Sequence, residues 1–159
     1  TNSINKKEPI FLKPGGKAYI MSGKSPFGYS FQTNKCIGYL TNNSQNFVVP
    51  LPGGCPTMLD YPFPDRPNAF SDNCVDFLRR IRSCQSNIKY PTNIETACKN
   101  FAYERTNYVR CVQDFGNDPD FIYSDWRIYM NRETPMWKTR REIVDLLDQN
   151  GNLLDTYVY

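Results

Sequence analysis

Six cysteines lie between Cys36 and Cys111, and the stretches before and after them contain none. An even count with wide spacing and no CxxC pair favours disulfides over a zinc site or a redox motif. The absence of histidine from the whole chain removes the commonest zinc partner as well. The expected compartment is therefore oxidising: extracellular, cell-surface or periplasmic. The distribution also divides the chain. Residues 1–35 and 112–159 read as strands of one scaffold, and residues 36–111 as an insert tied down covalently.

The ends support that reading. Pro14-Gly15-Gly16 separates Ile10–Lys13 from Lys17–Met21, with proline presetting the first turn dihedral and glycine accepting a positive φ. A strand, a tight turn and a strand are expected there. Trp126–Met130 alternates bulky and polar side chains, and Asn150-Gly151 between two apolar runs is the strongest hairpin signal in the chain.

Within the insert, Cys36–Leu40 and Asn46–Val49 read as short strands, and residues 50–70 as a proline-rich loop. From an N-cap at Ser71-Asp72, Cys74, Phe77, Leu78, Ile81 and Cys84 recur at helical spacing, predicting a helix over about 72–84. A capping-box pattern at Thr92–Glu95 opens a second helix over about 93–113. An antiparallel pair of such helices would place Cys74 near Cys111 and Cys84 near Cys98, leaving Cys36 for Cys55. This is one of several pairings that six cysteines allow.

At 159 residues the chain suits one domain with a core of its own. No apolar run is long enough for a membrane span, and the first residues lack the apolar core of a signal peptide. Net charge is +3, too small for a dedicated nucleic-acid binder. The charge is nevertheless unevenly placed, with the lysines of residues 1–35 facing an excess of acids in residues 112–159.

The segment Trp137-Lys-Thr-Arg-Arg-Glu-Ile-Val-Asp-Leu-Leu-Asp-Gln-Asn-Gly-Asn-Leu-Leu-Asp-Thr-Tyr-Val-Tyr159 resembles the closing strands of the lamin-tail domain. Phe11-Leu-Lys-Pro-Gly-Gly-Lys-Ala-Tyr-Ile20 is similar to that family's central strand-turn-strand. The resemblance covers about residues 9–32 and 126–159. It implies an immunoglobulin-like β-sandwich, of a kind that in bacteria occurs in exported and surface proteins. The fold class expected is thus α+β: a sandwich interrupted by a disulfide-stapled helical hairpin. The cysteine-bearing region is much longer than the family's usual connection. The opening strands of such a domain would fall upstream of Thr1, so another segment, from the same precursor or from a protein partner, is expected to add a strand beside Ile10–Leu12 or Ala18–Met21.

Catalysis has little to draw on. Without histidine, acid–base work would fall to carboxylates, lysine or tyrosine, and alternation explains Asp145, Asp148 and Asp155 as strand and turn residues. Asp148–Asn152 offers oxygens as calcium loops do, but the distal Glu is missing, so turn chemistry accounts for it. Arg79-Arg80-x-Arg82 and Lys138-Thr-Arg140-Arg141 read as solvated faces. No cofactor or metal is expected, and no enzyme activity. The candidate contacts are Tyr61 and Phe63 in the proline-rich loop and Trp137 beside basic residues, with Asn42 of Asn42-Asn43-Ser44 a glycosylation sequon. Function is expected to be adhesion, display or assembly of a larger exported protein. A carbohydrate-binding module attached to a separate catalytic or anchoring region is the alternative.

Overall fold

A computed structural model describes residues 9–41, 47–65 and 69–159. Its elements run β1 (Ala18–Met21), β2 (Phe31–Asn34), α1 (Asp72–Arg80), α2 (Thr96–Arg105), α3 (Tyr108–Phe115), β3 (Ile122–Tyr129), β4 (Ile143–Leu147) and β5 (Leu153–Val158). Short 3-10 turns occupy Ile37–Leu40 and Met58–Asp60. The class is α+β with two small sheets. No closed sandwich forms among the described residues.

The first sheet has the order β1-β3-β2, with β1 parallel and β2 antiparallel to β3. The expected turn precedes it. Gly16 donates to the Lys13 carbonyl at 2.9 Å, and Gly15 has a φ of +77°, the left-handed conformation that glycine tolerates at the third turn position. Gly16 is required for a different reason: a Cβ there would come within 2.7 Å of the Ser124 carbonyl oxygen on β3. The expected strand over Ile10–Lys13 is absent. That segment crosses a sheet face instead, and the Trp126 indole N–H donates to the Phe11 carbonyl at 3.2 Å.

The expected strand over Cys36–Leu40 is a 3-10 turn; of that expected over Asn46–Val49, residues 47–49 are irregular and Asn46 lies outside the described residues. Cys36 lies two residues past the end of β2, where the Asn34 side chain accepts from the Cys36 N–H at 2.9 Å and bends the chain out of the sheet. β2 itself, Phe31–Asn34, was not separately legible.

In α1, Ser71 caps as expected, accepting from the Cys74 N–H. The helix ends four residues short of the expected 84. α2 begins at Thr96 rather than 93, because the Glu95 carboxylate is drawn away to accept from the Ser71 N–H and hydroxyl at 3.2 and 2.8 Å. The single long helix expected through 113 is two. Thr106 turns its hydroxyl back to the Ala102 carbonyl, and the Asn107 side chain caps α3 by accepting from the Arg110 N–H.

The Ser71–Glu95 contact also corrects the disulfide pairing. It sets the starts of α1 and α2 side by side, so the cysteines in the two first turns meet as Cys74–Cys98. Residues 81–95 carry the chain back along α1, which an antiparallel hairpin would not require. Cys84, beyond the end of α1, joins Cys55, and Cys36 joins Cys111 on α3. None of the three expected pairs forms, although all six cysteines are bonded.

Each bridge is packed into apolar surroundings. Cys74 and Cys98 lie among Met58, Tyr61, Leu78, Ile81, Ile94 and Phe101. Cys36, Cys84 and Cys111 pack with Tyr39 and Phe121. A third cluster of Phe31, Ile37 and Leu51 covers one face of the sheet, with Phe27, Phe47 and Tyr129 against it. The insert therefore supplies most of the core.

Candidate functional site

Tyr61 is 2% exposed, its hydroxyl donating to the Arg105 carbonyl at 3.1 Å and its ring edge-on to Phe115. Burial, with the nearby Tyr39 as the next cause, pushes its phenol well above the ordinary value. Tyr61 is thus a core residue in the structure. Phe63 is half-buried and packs edge-on against Phe70 and Phe101, while Trp137 is half-buried. Asn42 lies outside the described residues.

The charged groups divide similarly. Arg79, Arg80 and Arg82 are all exposed, with Arg79 paired to Asp76 at 3.3 Å. Lys138, Arg140 and Arg141 are exposed at the entry to β4. Asp145 stands opposite Thr156 and accepts from its hydroxyl at 2.8 Å, whereas Asp155 stands opposite Leu146. Alternation therefore puts the two carboxylates on opposite faces of the hairpin, so they do not form a catalytic pair. Asp148 closes the turn: it accepts from the Asn150 and Asn152 N–H groups and from the Asn152 side-chain amide, each at 2.8 Å. The Asn152 amide is the main reason its carboxyl is held below the ordinary value. Its oxygens are committed to the turn.

An open depression is lined by Lys35, Cys55, Pro56, Asp60, Phe115, Asp118 and Tyr123. Lys35 contacts Asp118 at 3.0 Å and Asp120 at 2.6 Å, and the Asp120 contact is the larger cause of its raised pKa. Asp60 accepts from the Thr57 N–H and hydroxyl. Lys35, Asp118 and Asp60 are thus engaged within the chain.

The β4–β5 hairpin is different. Every residue of both strands is exposed. One face carries Ile143, Leu147 and Val158, the other Val144, Leu146 and Tyr157, as follows from the pairing register. Tyr157 is 66% exposed, and its ring stacks at 5.8 Å on that of Tyr159, itself beside Glu142. A strand pair apolar on both faces is the pattern of a strand covered on both sides. A hairpin alone is marginally stable in water. Glu142, Asp145, Asp148 and Asp155 are the only charged side chains from 142 to 159.

A second exposed apolar region borders β1. This strand is an edge of its sheet, with β3 on one side and no strand on the other among the described residues. Ile20 is 50% exposed, and Ile10, Phe11 and Leu12 are exposed nearby. β2, the opposite edge strand, presents mainly buried residues. The sequence marked both regions as strands and led to the expectation of an added strand beside Ile10–Leu12 or Ala18–Met21, whereas the resemblance placed the hairpin inside a sandwich, so its exposure was not expected.

Comparison with protein families, with curated proteins and with solved structures found no match for this chain.

Proposed function

We propose that this chain is a non-enzymatic extracellular or cell-surface domain serving adhesion, display or assembly of a larger exported protein. The observation that carries the reading is the β4–β5 hairpin, which presents large, exposed apolar side chains on both faces. Exposed apolar area of this kind marks surfaces that other molecules cover. Three disulfides within one chain suit an oxidising compartment. Among the described residues no helix is long and apolar enough to cross a membrane. The finer reading is lamin-tail-like: the hairpin is one part of an immunoglobulin-like sandwich whose remaining strands come from a partner or from elsewhere in the polypeptide.

The triple variant Leu146→Asn, Leu154→Asn, Tyr157→Asn tests this. Stability of the disulfide-tied body is expected to change by less than about 0.5 kcal/mol, as for surface substitutions. Attachment of the labelled chain to intact cells of its source, read by flow cytometry, is expected to fall about tenfold, the effect of losing ~1.4 kcal/mol. Undiminished attachment would reject the reading.

The stacked pair Tyr157 and Tyr159 beside Glu142 favours a second reading, a carbohydrate-binding module. Sugars stack on such exposed rings. Saturable quenching of tyrosine fluorescence by an oligosaccharide, lost in Tyr157→Ala, would select it over assembly.

A further inference from the structure

We infer that the β4–β5 hairpin of one copy adds to the open β1 edge of a second copy, so that the chain assembles with itself. This rests on the assembly reading and names its partner. Three observations converge on it. Among the described residues β1 has a free edge flanked by exposed Ile10, Phe11, Leu12 and Ile20, the arrangement that accepts an added strand. The hairpin offers strands of five and six residues, long enough to run the length of four-residue β1. Charge matches as well: Lys13, Lys17 and Lys24 are the only charged residues from 9 to 24, opposite a hairpin whose charged side chains are all acidic.

The basic groups at β1 are available for such a contact. Among the described residues neither Lys13 nor Lys17 enters an ion pair, and both are exposed, whereas Lys24 pairs loosely with Glu133 at 3.5 Å. Among the described residues no strand pairs with that edge. After β3, the Asn131 and Arg132 N–H groups bond the Gly23 and Ser22 carbonyls, and the hairpin beyond remains exposed throughout while Ile20 stays open. A second copy presents both complementary surfaces at once. Because donor and acceptor are different surfaces, reciprocal exchange closes a two-fold dimer and one-way exchange builds an open chain of copies.

Sedimentation of the full, oxidised chain is expected to show concentration-dependent association at roughly 10 µM, as for small interfaces. Raising salt to about 0.5 M should weaken it several-fold, since the charges are exposed. Lys13→Glu with Lys17→Glu, and separately Asp145→Lys with Asp155→Lys, should each reduce self-association about tenfold. Mixing the two variants should restore it, because each then meets an opposite charge on the other. A wild-type chain that stays monomeric to several hundred micromolar overturns the proposal, as does association indifferent to both variants. Cell attachment is measured on dilute labelled chain, so it continues to test the assembly reading whichever way sedimentation falls.

Discussion

Arg127 shows where a residue-level reading fails. Alternation along β3 sets it opposite Trp126 and predicts solvent on its side, yet it is 3% exposed. Both faces of the sheet are covered at this point: the Phe11 segment lies over Trp126, and residues 50–51 over Arg127, whose Nη2 donates to the Pro50 carbonyl at 3.0 Å. Its guanidinium lies 4.1 Å from the Tyr19 ring centroid, and among the described residues its Nε and Nη1 have no hydrogen-bond partner. The stack recovers part of the desolvation cost, but a buried cation without a carboxylate remains expensive. Arg127→Met, which keeps length and removes charge, is expected to raise stability by about 1 kcal/mol. Arg127→Ala should instead lower it by ~2 kcal/mol, through lost packing and the space left behind. Urea unfolding of the two variants reads both, and a large loss in the Met variant would show that the charge itself holds the sheet.

Local chemistry accounts for which elements were legible. Ser71 marks the start of α1, Pro14-Gly15-Gly16 its turn, and Asn150-Gly151 the hairpin, because each depends on a few neighbouring residues. The parallel pairing of Ala18 with Trp126 depends on chain more than a hundred residues away, and no local signal carries it. The disulfide pairing failed for a related reason: it followed from the helix geometry, and one capping asparagine, Asn107, with one side-chain contact, Ser71 to Glu95, changed that geometry. The observed pairing gives the bridges unequal roles. Cys36, Cys111, Cys74 and Cys98 are fully buried, whereas Cys55 is half-exposed beside Gly53 and Gly54. Under mild reductant Cys55–Cys84 is expected to open first, with the other two released only as the body unfolds; timed alkylation and peptide mapping would show the order. Cys36–Cys111 closes the longest loop, 75 residues apart in sequence, so its removal should cost most, about 4 kcal/mol if loop entropy dominates. Simultaneous labelling of all six thiols would contradict the ordering.

For the whole molecule, burial separates a packed, disulfide-tied body, open along β1, from a hairpin that is exposed throughout. The insert, expected as an appendage on a sandwich, contains most of the buried residues, and the hairpin, expected inside the sandwich, contains none. Stability should divide along the same line. Amides of β2, β3 and α1 open only when packed clusters and disulfide-closed loops are disrupted, so their hydrogen exchange should report the global unfolding free energy. Amides of β4 and β5 are held by one ladder and a turn anchored at Asp148, and every residue of both strands is exposed. In dilute chain they are expected to exchange at least a hundredfold faster than those of β3, a gap of ~3 kcal/mol or more in opening free energy. Raising the concentration through the association range should slow exchange in the hairpin and in β1 together while leaving α1 unchanged, because only the covered strands gain partners. Hairpin amides as protected as those of β3 in dilute chain would mean that the hairpin is packed within its own copy, and the division of stability between body and hairpin would fail.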